Sequence, residues 1–178
     1  MNRGRWAILV IFGLAAAVGV LSVGLHYWIS RRAIAWWGHD AAAVILNAPQ
    51  VAALQLQPHG GAAHGGQADV MATVSVGEVQ YDVVRRKDLA GQQGLDHLRN
   101  SLLEDLNFAW NAPPPAGQGQ WRFALEFREG AQRLVVVLDP AQRRLARADT
   151  GASLAIAPIA TGWEDFFAEQ FGAAKTQR

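Results

Sequence analysis

The chain has 178 residues, of which 51% are hydrophobic and 17% charged, with a formal net charge of +1 and 0 cysteines. That balance excludes disorder of the whole chain, a strongly basic nucleic-acid binder, a disulfide framework and thiol chemistry. Arg3, Arg5, Arg31 and Arg32 all lie before residue 33, where there is no acidic residue. Setting those four aside leaves 12 basic against 15 acidic residues, so the positive charge flanks one apolar segment and the remainder is mildly acidic.

Residues 1–5 are a short basic tail. Residues 6–29, Trp6 to Ile29, are an apolar run whose one markedly polar side chain is His26, close to the far end. About 20 apolar residues span a ~30 Å hydrocarbon core, so this run predicts a single transmembrane helix with some tilt. Trp6 at one end and Tyr27 and Trp28 at the other suit the two interfaces. The run is longer than the apolar core of a secretory signal, about 7–15 residues, which predicts an uncleaved signal-anchor. Arginines flank both ends. A short basic tail before a first apolar segment favours a cytoplasmic amino terminus, which places the rest outside the cytoplasm, in the periplasm for an inner-membrane protein. Gly13 with Ala17 and Ala15 with Gly19 are small residues at i, i+4, a spacing that lets two such helices approach as a homodimer.

Residues 30–49 read as a juxtamembrane helical or interfacial segment, with Trp36 and Trp37 in the headgroup layer. His39 and Asp40 are adjacent and would diverge on a helix, which argues against an acid–base pair. Pro49 ends the helix.

Residues 50–174 read as one α+β domain, followed by a tail at 175–178. Val51 to Gln57 is a half-buried strand. Pro58 to Gln67 is a Gly-rich loop carrying His59 and His64. Two histidines without further clustered ligands do not make a metal site. Val70 to Val76 and Val79 to Val83 alternate around Gly77-Glu78, a hairpin, and Arg85-Arg86-Lys87 ends its second strand. Leu95, Leu98, Leu102 and Leu106 predict an amphipathic helix from Gly94 to about Asn107. The proline-rich stretch 111–117 is a stiff connector. Trp121 to Arg128, Leu134 to Leu138, Arg143 to Ala148 and Leu154 to Ile156 continue as an antiparallel meander, with Arg144 and Arg147 pointing outward. Thr161-x-x-Glu164 is a capping box for a last helix whose Trp163, Phe166, Phe167 and Phe171 share one face. Gly172 suits its end.

The expected architecture is therefore a single transmembrane helix followed by an antiparallel sheet of about five to seven strands covered by two helices. No nucleotide-binding loop, nucleophile elbow or zinc-hydrolase motif occurs, so no catalytic residue, metal or cofactor is implied. The favoured expectation is a membrane-anchored, non-catalytic binding or accessory module of a bacterial cell-envelope complex. It would touch the lipid bilayer through residues 6–29 and a protein partner through Trp163, Phe166, Phe167 and Phe171, and would bind no nucleic acid. The alternative is a small-ligand or enzymatic domain with a pocket between sheet and helices, using Arg122, Glu126 and Arg128, which share one strand face.

Overall fold

The computed structural model describes residues 3–60, 72–112, 120–156 and 158–172, and within the first helix the side chains of 11–14, 16–22 and 30–37. Helix α1 runs from Arg3 to Trp37 and α2 from His39 to Asn47. Strands β1 (Gln50–Pro58), β2 (Ala72–Val76) and β3 (Val79–Asp88) follow, then α3 (Leu95–Ser101) and a 3₁₀ turn at Asp105–Asn107. Strands β4 (Phe123–Glu129), β5 (Gln132–Asp139), β6 (Arg144–Arg147) and β7 (Ser153–Ala155) lead to α4 (Ala160–Phe171). Among the described residues no helix is long and apolar enough to cross a membrane; of the apolar run 6–29, the described side chains are those of 11–14 and 16–22.

The fold is α+β. All seven strands form one antiparallel sheet in the order β2-β3-β1-β4-β5-β6-β7. The sheet curls: a Cβ placed on Gly151, after β6, would lie 3.9 Å from the Gly77 Cα in the β2–β3 turn. Curling explains why both faces of the central strands are dry. Leu125, Phe127, Leu134, Val136 and Leu138 point to the helices and share a core with Trp37, Ile45, Leu102, Trp163 and Phe167. Ala52, Leu54, Ala124, Val135, Val137 and Ala146 point to the opposite, concave face, where the second core is built from strands and Trp121. The continuous apolar run at Leu134–Leu138 is the sequence trace of this double burial.

Several expectations are corrected. Residues 30–49 belong to the folded domain: Ser30, Ala33, Trp37, Ala42, Val44, Ile45 and Ala48 are buried. Trp37 is 1% exposed and donates its indole N–H to the Leu102 carbonyl at 2.6 Å, while half-buried Trp36 meets its ring edge-on. The amides of Arg32 and Ala33 donate to the Asp105 carboxylate at 3.1 and 2.7 Å, and Arg147 donates to the Trp37 carbonyl.

The predicted helix over 94–107 stops at Ser101, because its last carbonyls are taken by side chains. Trp37 occupies that of Leu102, and Asn107 Nδ2 donates to that of Ser101 at 2.9 Å. Leu106 is consequently 74% exposed rather than part of the apolar stripe. Helix α4 starts one residue before Thr161, so the capping box is unused, and its amino-terminal cap position is Ile159. Gly172 does end it, in the left-handed conformation at φ 66°. Arg144, expected to point outward, is 3% exposed and lies on the concave face. Strand β3 does not stop at Arg85-Arg86-Lys87 but pairs with β1 through Asp88, around a bulge between Gln55 and Leu56. The bulge puts Arg85 on the helix side and Arg86 on the concave side. The predicted connector falls largely, and His64, Val70, Met71 and the 175–178 tail fall wholly, outside the described residues.

Trp37→Phe keeps most of the buried ring but strands the Leu102 carbonyl. An unsatisfied buried acceptor costs about 1–3 kcal/mol, so the denaturation midpoint should fall with little change in the steepness of the transition.

Candidate functional site

The site is assembled from the ends of β3, β4 and β5 on the concave face. Along β4, Phe123, Leu125 and Phe127 face the helices, so Ala124 and Glu126 face away from them. Glu126 is 1% exposed. Its Oε1 accepts from Arg128 Nη2 at 2.8 Å and from Arg133 Nε at 2.5 Å, and its Oε2 accepts from Arg86 Nη1. Arg128 stands two residues along on the same strand face. Arg133 lies opposite Arg128 across the β4–β5 hairpin, and Arg86 arrives from β3, across β1.

Burial alone would raise the Glu126 pKa; hydrogen bonds from Arg128, Arg133 and Arg86 outweigh that and hold it at about 2. The carboxylate is thus ionised throughout the ordinary pH range. The guanidinium side chains stay 42–45% exposed above it.

Farther along the same face lies a second polar group. Arg144 sits 4.7 Å from the Trp121 ring centroid and forms an ion pair with Asp139 at 4.0 Å. Burial pushes the neighbouring Tyr81 hydroxyl above its ordinary value, against the opposing influence of a hydrogen bond with the Trp121 backbone. At the turn end of β3, His59 Nδ1 is 2.8 Å from Asp82 Oδ1. Among the described residues no group of His, Asp and Glu could hold a metal ion.

The expected ligand residues separate. Glu126 and Arg128 do meet. Arg122 precedes β4; its backbone bonds Leu56 and Leu138 while its side chain is exposed. Because Glu126 is on the face away from the helices, these groups do not line a pocket between sheet and helices, which corrects that expectation. A cleft of about 610 Å³ lies between α3 and α4 instead, lined by residues including Leu95, Leu98, Ile159, Trp163, Phe166 and Gln170.

The expected partner face is largely core. Trp163, Phe167 and Phe171 are buried, and the Phe167 and Phe171 rings stack on Phe123. Phe166 is half-buried beside the cleft. On α1, Gly13, Ala17 and Gly19 are exposed; the Ala15 side chain lies outside the described set.

The sequence carried a signal for part of the arginine cluster. The Gly130-Ala131 turn sets Glu129 opposite Gln132 and therefore Arg128 opposite Arg133. No such local signal existed for Arg86, whose face depends on the bulge. Searches against protein-family models, curated proteins and solved structures found no match to the chain.

Glu126→Gln removes the one carboxylate holding three cations. The three guanidinium groups left behind are 42–45% exposed and regain water, so the loss is nearer to the cost of an unsatisfied buried hydrogen-bonding site, about 1–3 kcal/mol, and the variant should unfold at correspondingly lower denaturant. In the unaltered protein a depressed folded-state pKa stabilises above the unfolded value of 4.5. That contribution should fade as pH falls from about 4.5 toward 2, and the same pH titration of Glu126→Gln should lack this component.

Proposed function

We propose that the protein is a membrane-anchored, non-catalytic accessory module of a cell-envelope complex, with residues 6–29 in the bilayer and the domain outside the cytoplasm. The observation that carries this reading is the contrast between the two ends of one helix. Along α1, Ile11, Phe12, Leu14, Val18, Val20 and Leu21 are 60–74% exposed, whereas Ser30, Ala33 and Trp37 are buried in the domain. A stretch of large apolar side chains left in water is costly at roughly 25 cal/mol per Å², and a lipid environment removes that cost. Arg31 and Arg32 are exposed where the helix enters the domain, a position suited to headgroups. The binding role is supported by the cleft beside Phe166, which gives a partner side chain a place to seat.

Because the chain has 0 cysteines, single-cysteine labelling tests the arrangement directly. The protein should remain with membranes through alkaline carbonate. Glu129→Cys, at the exposed end of β4, should react with an impermeant maleimide in cells with a permeabilised outer membrane, and Asn2→Cys should react only after lysis. Release by carbonate would remove the anchor; the reverse labelling pattern would turn the topology over. Cross-linking in native membranes should recover a stoichiometric protein partner, and recovery of this chain alone would count against the accessory role.

A further inference from the structure

We propose that Arg86, Arg128 and Arg133 form an oxyanion site for a phosphomonoester group, with Glu126 as the buried support that fixes the three guanidinium groups. The inference is independent of the membrane reading.

Charge is the first argument. One carboxylate faces three guanidinium groups, which leaves two positive charges at this spot. Outside the cluster, the chain beyond residue 32 carries 9 basic and 14 acidic residues, so the cluster stands against the overall sign of that part of the chain. Among the described residues, Glu126 is the one carboxylate in an ion pair with any of the three. Asp88 lies on the same face, opposite Ala52, where its Oδ1 accepts from the Ala90 amide at 2.9 Å and it forms no ion pair with the three.

Donor geometry is the second. Each guanidinium carries five N–H groups, and each gives one bond to Glu126. The remaining donors belong to side chains that are 42–45% exposed, while the carboxylate beneath them is 1% exposed. Glu126 thus orients the forks without filling them. A planar fork matches phosphate oxygens bidentately, and a group arriving here meets donors already positioned.

Register is the third. Arg128 and Arg133 are directly opposite on adjacent strands, an arrangement that like charges destabilise unless something offsets it. Glu126 offsets one charge and a bound dianion would offset the other two. Ala52, opposite Glu126 on β1, is small, so the Arg86 side chain can reach the carboxylate from β3.

The test uses the full chain in non-ionic detergent. At fixed ionic strength, inorganic phosphate should raise the melting temperature saturably, and chloride should not. Arg128→Lys and Arg133→Lys keep the charge on Glu126 but lose the fork, and each should raise the half-saturating phosphate concentration at least about fivefold. Equal effects of phosphate and chloride, or unchanged half-saturation in both variants, would overturn the site. Phenylglyoxal modification of the unaltered chain gives a measure that needs no variant. Phosphate should protect Arg86, Arg128 and Arg133, mapped by mass spectrometry, and modification that is the same with and without phosphate also overturns it. Repeating the protection with glycerol phosphate, and with phosphatidylcholine vesicles with or without phosphatidic acid, assigns the phosphomonoester to a solute or to a lipid headgroup.

Discussion

Strands β1, β4 and β5 carry apolar side chains on both faces, and most of the remaining structure keeps water off those two surfaces at once. A sheet buried on both sides normally has helices on both sides. Here the helices cover one side, and the sheet covers the other by curling on itself. Small residues make this possible. Ala52, Ala124 and Ala146 line the concave face, where larger side chains would hold the walls apart. Charged groups then appear near the limits of the curled surface: Glu126 with its three arginines in one region, Asp139 and Arg144 in another.

The helical layer is tied together by arginines at helix ends. Arg147 donates to the last carbonyl of α1, Arg99 to the Leu46 and Ala48 carbonyls at the end of α2, and Arg85 to the last carbonyl of α4. Each cation meets the negative end of a helix dipole and satisfies carbonyls that have no partner within the helix. All three come from distant parts of the chain, so these contacts weld tertiary structure as well as closing helices. Arg85 and Arg86 divide their work across the sheet, one serving α4 and the other Glu126. Ordinary strand alternation separates the two, and the register shift beside Gln55 decides which face each takes.

Local periodicity made much of the sheet legible. Alternation located β1 to β4, the Gly77-Glu78 turn located the first hairpin, and the continuous run at 134–138 located β5 and announced burial on both faces. Contacts between distant residues were not legible. Trp36 and Trp37 look interfacial beside an apolar run, and nothing near them in sequence reveals that Leu102 offers a carbonyl. Arg144 looks outward because charge is ordinarily solvated; Trp121 and Asp139 make its burial tolerable, and both are set by strand order. The aromatic stripe of α4 was readable as a face, but whether that face met a sheet or a partner depended on Phe123, about 40 residues earlier. At the arginine cluster, Glu126 with Arg128 followed from alternation, Arg133 from the hairpin turn, and Arg86 from neither.

The unbroken helical backbone of α1 gives the molecule a fixed angular phase. Its last two turns are clamped by Asp105, Trp37 and Arg147, so the domain cannot swivel about a slack joint where the helix enters it. Each residue of an α-helix advances about 1.5 Å and turns about 100°. A one-residue insertion ahead of Ser30 would therefore do more than lengthen the rod. It would rotate the arginine cluster and the α3–α4 cleft by over a quarter-turn relative to residues 11–22. The count of residues between the exposed apolar stretch and Ser30 thus sets the compass bearing of every surface the domain presents.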